Sequence, residues 1–368
     1  MTASRPARPP LVADPDLVTA EWLTQVLRYA GVIDAAASVA SFRAAPIGTG
    51  QVGANVRYTL SYDHPGPPAP ATVVCKFSSR DEASAAAGVA TLTYETEVAF
   101  YRDLAHTVDI SRPRCHFADL RSGTADVVLV MEDIAPAEQG DQIAGCTVQE
   151  AGLAIEEAAR LHGPRWGDPA LRELGWLDRG GTTESIAAML GTIWEAFAER
   201  YRTRLAPVTL EAGPQVAALA PELLANRSPL RTPVHSDYRL DNMLFATDGG
   251  GRPLTVVDWQ TVQLGVGPSD VAYFLGSAFE PGRRRRCERD LLLRYHRALV
   301  EDYGVDDYPF DQCWRDYVQS SYGSLLMAVF ASMLVGRTER GDAMFMAMAN
   351  RSAQMAADLD APAVITRG

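Results

Sequence analysis

The sequence predicts an α+β fold in two lobes, a small antiparallel β-sheet lobe followed by a mostly helical lobe. The chain has 368 residues, which is too long for one small domain and suits two lobes. Its first third carries β-rich stretches separated by turn-forming residues, and helical periodicity dominates after residue 136. We therefore expect an N-terminal tail and helix at residues 1–37, the sheet lobe at 38–134 and the helical lobe at 135–368.

The first lobe is predicted to be a small sheet with one helix. A preceding helix is expected within residues 17–32, where apolar side chains recur at helical spacing, with Thr19 as the N-cap and Gly31 as the stop. Alternating and β-branched stretches then indicate strands, and an alanine-rich stretch leads into the helix. In chain order these segments are strands at 38–47, 55–62 and 71–77, a helix at 91–105 and a strand at 126–131.

The second lobe is predicted to be helical around one short strand–loop–strand region at residues 232–260. One of its helices opens with a run of four arginines at 283–286. We interpret this run as a solvated helix surface in preference to an anion site. The predicted helices lie at residues 147–162, 184–204, 286–303, 311–335 and 343–359.

Composition argues against several classes of protein. The net charge is −12, whereas nucleic-acid-binding proteins are usually basic or carry a basic stripe, so we expect no nucleic-acid partner. No apolar run reaches the roughly 18 residues of a membrane span, and the first ten residues lack the apolar core of a signal peptide. The five cysteines have no metal-ligand spacing, so we expect reduced thiols in a cytoplasmic protein.

Lysine is almost absent from the chain. Of the 34 basic residues, 33 are arginine and one is lysine, Lys76. A compact ammonium performs functions that a planar guanidinium cannot, which suggests a functional site; the alternative is that Lys76 is a compositional remnant. The residue lies within the apolar strand V-V-C-K-F, where a cation needs an anionic partner. The phosphates of a nucleotide would serve as that partner.

A carboxylate on the next helix offers a second partner for Lys76. Glu97 falls inside the apolar stripe formed by Tyr94, Val98 and Tyr101. An inward-facing charge should be paired, and Lys76 is the natural partner. The alternative is that Glu97 lies at the edge of the stripe and extends its carboxylate to solvent.

Three glycines precede the lysine strand. Gly48, Gly50 and Gly53 form the pattern G-x-G-x-x-G within I-G-T-G-Q-V-G-A-N-V-R-Y. The pattern lies between two predicted strands and not between a strand and a helix. This placement favours a hairpin that covers phosphates over a dinucleotide-binding turn.

The second lobe contains a motif with catalytic chemistry. His235, Asp237 and Asn242 form the pattern H-x-D-x-x-x-x-N, and Asp258 ends the next β run, sixteen residues after Asn242. Phosphoryl transfer needs a carboxylate that orients a hydroxyl and accepts its proton, and an amide and a second carboxylate that hold Mg²⁺ on nucleotide phosphates. The spacing favours this chemistry over the alternative, a polar loop that happens to carry Asp and Asn.

These segments together resemble the small-molecule kinases of the protein-kinase-like fold, specifically the aminoglycoside phosphotransferase and choline kinase group. The D-W-Q and D-V-A-Y-F-L segments look most like its ecdysteroid-kinase-like branch. The resemblance covers roughly residues 40–300 and is most specific at 232–276. It is carried, in chain order, by the glycine hairpin, V-V-C-K-F, E-V-A-F-Y, M-E-D-I, H-S-D-Y-R-L-D-N, V-V-D-W-Q and G-P-S-D-V-A-Y-F-L.

The resemblance implies a role for each matching residue in the second lobe. Asp237 would be the catalytic base, and Arg239 would lie near the transferred phosphate. Asn242 and Asp258 would hold Mg²⁺. Asp270 would brace the catalytic loop, which is a structural role.

The resemblance also implies a nucleotide site in the first lobe. Lys76 would bind the α- and β-phosphates of ATP and pair with Glu97, beneath the glycine hairpin. The backbone of Glu132 to Ile134 would meet adenine where the two lobes connect. The cofactors implied are ATP, with GTP possible, and Mg²⁺.

Two departures from the family pattern bear on the acceptor. Ser236 stands where many relatives have glycine, and Gln260 closes D-W-Q in place of the D-F-G of protein kinases. Gly267 and Pro268 follow Asp258 within ten residues, which leaves no room for an activation segment. The resemblance therefore implies transfer of the γ-phosphoryl group to a hydroxyl of a small alcohol or amino alcohol.

Two other functions remain open, a kinase acting on protein and a non-catalytic nucleotide-binding protein. The first would need an activation segment, and the second would be expected to have lost one of its chemical residues. The acceptor itself is not identified by the sequence. Four aromatic residues are candidates either for an apolar acceptor pocket or, as we favour, for core: Trp194, Tyr201, Trp314 and Tyr322.

Overall fold

The computed structural model of the protein describes residues 6–48, 53–64, 69–177, 180–224 and 230–367. The chain divides into two compact units. The first spans Met1–Ala105 and Arg112–Ala135, and the second spans His106–Ser111 and Pro136–Gly368.

The first unit is built on a five-stranded sheet with the strand order β1-β2-β3-β5-β4, in which every neighbouring pair is antiparallel. The predicted small antiparallel sheet is therefore confirmed. Its edge strand β4 was not predicted, because its half-buried residues C-H-F-A-D-L show no clean alternation. The strands are β1 (Val39–Ile47), β2 (Gly53–Tyr62), β3 (Thr72–Ser78), β4 (Cys115–Leu120) and β5 (Val127–Glu132).

Both faces of this sheet are covered, and strand alternation decides what each face meets. Helix α1 (Ala20–Tyr29), capped by Thr19 as predicted, packs with Val128 and Val130 on one face. Tyr94 and Val98 pack with the alternate residues of β5 on the other face. The face to which a strand residue points therefore decides whether it packs with α1 or with Tyr94 and Val98.

The helix predicted at residues 91–105 is present with slightly shorter bounds, but the expectation of a single helix beside the sheet was wrong. The alanine-rich stretch is itself a helix, α2 (Glu82–Ala90), and α3 (Thr93–Ala99) follows it and continues into a π-helical turn at Phe100–Leu104. Leu92 separates the two helices in the left-handed region, with φ +57°. A non-glycine residue there is uncommon, and its side-chain type gives no sequence signal for the break.

The second unit is mostly helical, as predicted. Its strands form a pair, β10-β7, and a three-stranded sheet, β6-β8-β9. The helices are α4 (Val148–His162), α5 (Gly180–Tyr201), α6 (Pro207–Ala218), α7 (Ala220–Leu224), α8 (Pro268–Ala278), α9 (Pro281–Tyr303), α10 (Phe310–Gln319), α11 (Gly323–Leu334), α12 (Glu339–Asp358) and α13 (Ala361–Arg367). The strands are β6 (Ala137–Gln139), β7 (Thr232–Val234), β8 (Met243–Ala246), β9 (Leu254–Val256) and β10 (Gln263–Gly265).

Two predictions for the helices need correction. The segment at 311–335 is two helices, α10 and α11, and not one. Helix α8 was not predicted because it is buried on nearly all sides, which removes the amphipathic pattern. Within the described part of the chain, no helix combines the length and the hydropathy that crossing a bilayer requires.

The arginine run at 283–286 is not simply a solvated surface. Arg284 is only 1% exposed and donates to Glu288 of its own helix and to Asp358 at the end of α12. Arg285 donates to both carboxylate oxygens of Asp358 at 2.7 Å. The run therefore joins two helices through ion pairs.

Candidate active site

The loop that follows β7 is fixed by one buried carboxylate. The backbone N–H groups of His235 and Ser236 donate to the two oxygens of Asp270 at 2.6 and 2.9 Å. Ser236 has φ +66°, in the region where glycine is favoured, so the turn is tight. His162 also contacts Asp270, with Nε2 at 3.2 Å from Oδ2. Asp270 thus braces the loop, as expected.

Asp237 projects from this loop into a set of hydrogen-bond donors. Arg239 Nε lies 2.9 and 3.0 Å from its two carboxylate oxygens. Tyr273 donates its phenolic proton to Oδ1 at 2.7 Å, and Asn242 Nδ2 donates to Oδ2 at 2.9 Å. Hydrogen bonds from both sides hold the carboxylate in one orientation, which a positioned proton acceptor requires.

Asn242 and Asp258 come together through the pairing of β8 with β9. Met243 pairs with Val256, and the Val257 N–H donates to the Asn242 carbonyl at 3.0 Å, which brings Asp258 beside the start of β8. Asp258 has φ +69°, a conformation that is uncommon for residues other than glycine and that aspartate adopts more readily than most. Gln260 Nε2 donates to Asp258 Oδ2 at 3.0 Å.

The donor set of these two residues fits Mg²⁺. The amide nitrogen of Asn242 is committed to Asp237, so Oδ1 is the atom that can face a cation. Asp258 supplies a carboxylate beside it. Mg²⁺ prefers hard oxygen ligands, and it is usually bound through one or two protein groups together with substrate phosphates and waters.

Arg239 lies between two carboxylates. Besides its contact with Asp237, its Nη1 donates to Asp241 Oδ2 at 3.0 Å and contacts Met344 Sδ at 3.0 Å. Burial disfavours the charged guanidinium, but the charges of Asp237 and Asp241 outweigh it, so the pKa of Arg239 is raised. The guanidinium is therefore a fixed positive charge next to the candidate base.

In the first unit, Lys76 and Glu97 form the predicted ion pair. Lys76 Nζ lies 2.7 Å from Glu97 Oε2, and the two residues are 8% and 2% exposed. Register places Lys76 opposite Leu129, on the face of the sheet that α3 covers. The backbone of Gly53 passes over the lysine, because a Cβ at Gly53 would lie 3.1 Å from Lys76 Cε.

Three other residues predicted to contact the nucleotide lie at or just beyond the ends of strands: Gly48, Glu132 and Ile134. Gly48 directly follows β1 and has φ +76°, whereas Gly50 lies outside the described residues. Glu132 ends β5, where its N–H donates to the Arg114 carbonyl at 2.8 Å. Ile134 lies two residues beyond β5, and its backbone is not part of the β3–β5 register.

The family follows from the sequence match. Residues 55–310 match the phosphotransferase enzyme family known as APH, which is more than half of the chain. The chain belongs to this family. A comparison of this phosphotransferase with curated proteins found no significant match.

Solved structures establish the fold of this phosphotransferase as kinase-like. Choline kinase from Cryptosporidium parvum Iowa II has a TM-score of 0.54 at 9% identity, over 88% of this chain and 91% of that one. Ethanolamine kinase from Plasmodium vivax has a TM-score of 0.52 at 10% identity, over 89% of this chain and 83% of that one. At such identities the likeness concerns the fold alone.

Three residues of the phosphotransferase site were missed by sequence reasoning. Tyr273 contacts Asp237, and its position three residues after Asp270 on a helix could have suggested a shared face. Asp241 lies inside the motif, and only its partners reveal its role. Arg340, which donates to both oxygens of Asp241, is 99 residues away and has no local signal.

The aromatic residues considered for an acceptor pocket are mainly core. Three of them are buried: Trp194, Tyr201 and Tyr322. Tyr201 donates to Asp342 Oδ1 at 2.6 Å, and Trp314 contacts Tyr317 in an aromatic pair. These contacts account for the residues by packing and hydrogen bonding within the helices of the phosphotransferase.

Proposed function

We propose that this phosphotransferase moves the γ-phosphoryl group of Mg·ATP, or of Mg·GTP, to a hydroxyl group of a small molecule. The observation that carries the proposal is the joint placement of Asp237, Asn242 and Asp258. One hydrogen bond ties the Asn242 amide to the Asp237 carboxylate, and one β-hairpin brings Asp258 beside Asn242. Phosphoryl transfer to an alcohol needs a carboxylate that accepts the hydroxyl proton, next to oxygen ligands that hold Mg²⁺.

The residues of the second unit would divide the reaction among them. Asp237 orients the acceptor hydroxyl and takes its proton as the oxygen bonds to the γ-phosphorus. The bond from that phosphorus to the bridging oxygen breaks, and the nucleoside diphosphate leaves. Arg239 supplies positive charge beside the transferred group. Mg²⁺, held by Asn242 and Asp258, would neutralise charge on the phosphates.

The first unit would hold the nucleotide. Lys76 would contact the α- and β-phosphates, oriented by Glu97, and Gly48, Gly50 and Gly53 would cover the phosphates. The close passage of Gly53 over the lysine side chain supports this assignment, because any larger residue would press on Lys76. The backbone at Glu132 and Ile134 would meet the base.

A small acceptor is favoured over a protein by the length of one connection. Nine residues, 259–267, separate Asp258 from α8, and β10 takes up three of them in pairing with β7. A kinase that acts on protein needs an activation segment between these points. The acceptor we propose is an alcohol or amino alcohol. We also propose the ecdysteroid-kinase-like branch, which the D-W-Q and D-V-A-Y-F-L segments resemble most. We further propose a cytoplasmic setting, in which the five free cysteines stay reduced.

The test is a panel of alcohols and amino alcohols with Mg·ATP, read as release of ADP above the rate without acceptor. Asp237→Asn is the matched variant, because the amide keeps the shape of the side chain and removes the base. We expect the wild type to show acceptor-dependent release, and the variant to lose about 10²–10⁴-fold while it binds Mg·ATP within a few-fold. A wild type that binds Mg·ATP but transfers to no acceptor and to no water would support the non-catalytic alternative. Phosphate transfer to a protein substrate in preference to the panel would support a protein kinase.

A further inference from the structure

Helix α8 contacts the catalytic loop through two residues and not one. Asp270 holds the loop backbone, and Tyr273, three residues later on the same helix face, reaches the Asp237 carboxylate. Asp270 can hold the loop backbone whether or not Tyr273 contacts Asp237, so the two contacts are separate. We propose that Tyr273 is a positioning residue for Asp237, an inference that rests on the proposed function.

The surroundings of Tyr273 make it a fixed and neutral donor. The residue is 5% exposed, and its hydroxyl lies 2.7 Å from Asp237 Oδ1. The start of α11 backs its ring, because a Cβ at Gly323 would lie 3.6 Å from Tyr273 Cδ2. Burial raises the pKa of Tyr273 well above its usual value, and the charge of Asp237 raises it further, so the phenol keeps its proton at neutral pH.

The other two donors to Asp237 have additional proposed duties. Arg239 shares its Nε between the two carboxylate oxygens and would also act on the transferred phosphate. Asn242 donates to Oδ2 and would also face Mg²⁺. Each of them would therefore serve both Asp237 and a second partner once a nucleotide is bound. The hydroxyl of Tyr273 donates to Asp237 Oδ1 and has no second proposed duty, so it can hold this oxygen throughout the reaction. Asn242 orients the other oxygen, Oδ2.

Tyr273→Phe tests the proposal, because it removes one hydroxyl and keeps the ring. The matched control is Tyr317→Phe, which also loses a buried phenol–carboxylate hydrogen bond, from Tyr317 to Glu288 at 3.0 Å. Both variants should lower the melting temperature by similar amounts. Only Tyr273→Phe should lower kcat, by about tenfold, with the KM for Mg·ATP and its calorimetric Kd within twofold of the wild type. Rates are measured with the best acceptor of the alcohol panel, or with water as acceptor if none is better.

The outcomes separate this inference from the proposed function. If the wild type transfers phosphate and Tyr273→Phe keeps its kcat, Tyr273 has no positioning role and the proposed function stands. The same conclusion holds if Tyr273→Phe and Tyr317→Phe lose activity equally, because the loss then follows stability. If the wild type neither transfers nor hydrolyses, the proposed function fails and this inference fails with it. A selective fall in kcat supports the positioning role.

Discussion

Arg340, the second residue of α12, donates to both carboxylate oxygens of Asp241, from Nη1 to Oδ2 and from Nη2 to Oδ1 at 3.0 Å each. Asp241 also accepts from Arg239 Nη1 and from the Gln142 N–H. Burial favours the neutral carboxyl, but the hydrogen bonds from Arg340 and the charge of Arg239 outweigh it, so the pKa of Asp241 is lowered. One carboxylate therefore connects the C-terminal helices to the residue beside the candidate base.

Removal of Arg340 should disturb Arg239. In Arg340→Ala, the guanidinium of Arg239 is the one that still contacts Asp241. We expect Asp241 then to hold Arg239 more tightly and to keep it farther from the transferred phosphate. Turnover should fall about three- to tenfold, and the free energy of unfolding by about 1 kcal/mol, because Arg340 is itself partly exposed. Steady-state kinetics and urea unfolding measure the two effects.

The control for this variant is Arg297→Ala on α9. Arg297 is exposed and lies 3.9 Å from Glu301, a surface pair of little expected value. Its removal should leave both turnover and stability nearly unchanged. If Arg340→Ala behaves like Arg297→Ala, Asp241 does not control Arg239.

Local patterns predicted the parts of the site whose partners lie close in sequence or in a regular register. Lys76 and Glu97 could be paired because one strand and one helical stripe set their directions. Asp237 and Asn242 are five residues apart in one loop, so their contact needs no long-range packing. The β8–β9 hairpin then brings in Asp258 by short-range pairing.

Contacts made by tertiary packing could not be predicted in this way. A run of arginines has the same sequence pattern whether it is solvated or paired, and one of the two carboxylate partners of Arg284, Asp358, lies 74 residues away. Arg340 reaches Asp241 across 99 residues. Helix α8 carries Tyr273 but is buried on nearly all sides, so it has no exposed polar face to mark its period.

Asp258→Asn should weaken Mg²⁺-dependent binding of ATP without disturbing the loop. Asparagine tolerates the positive φ of Asp258 and can still accept the hydrogen bond of Gln260, whereas alanine would add strain. The substitution therefore removes chiefly the charge. We expect the Mg·ATP affinity to fall at least tenfold in a calorimetric titration.

Binding of ATP in excess chelator provides the comparison for Asp258→Asn. Without Mg²⁺, the variant should bind ATP at least as well as the wild type, since it has lost a cation ligand and one negative charge beside the phosphates. An unchanged affinity for Mg·ATP would remove Asp258 from the metal site.

Stability should depend on pH through Asp358. Burial favours its neutral form, but hydrogen bonds from Arg285 and Gln354 and the charges of Arg284 and Arg285 outweigh burial, so its pKa is lowered. A carboxyl with a lowered folded pKa contributes stability above its unfolded pKa of about 3.9, and loses it as pH falls through the folded pKa. Asp358→Asn should therefore cost about 1–2 kcal/mol at pH 5–7, and less at each step below about pH 4.

Urea unfolding of wild type and Asp358→Asn at pH 7, 5, 4 and 3.5 measures this difference. Asp290→Asn, at an exposed position of α9, is the control and should change the free energy of unfolding by less than about 0.5 kcal/mol at each pH. A difference for Asp358→Asn that stays constant down to pH 3.5 would show that the ion pair does not depend on the charge of Asp358.

Lys76→Arg should behave almost like Lys76→Ala in catalysis, although it keeps the charge. In a chain with 33 arginines, such a swap at a surface would cost within about 0.5 kcal/mol. Lys76 is not at a surface: its Nζ lies 2.7 Å from Glu97 Oε2, and the position of a Gly53 Cβ lies 3.1 Å from its Cε. A planar guanidinium has no room under Gly53 to keep the carboxylate and reach two phosphates.

We therefore expect Lys76→Arg to stay folded and to lose at least about a hundredfold in kcat at saturating Mg·ATP, as a misplaced phosphate contact would cause. Arg80→Lys, an exposed swap two residues after β3, is the control and should keep full activity because its partner Asp16 is also exposed. Circular dichroism and the melting temperature separate loss of fold from loss of transfer. If Lys76→Arg keeps most of its activity, an ammonium is not required at this position. The single lysine is then a remnant of composition, and the assignment of the nucleotide phosphates to Lys76 loses its main support.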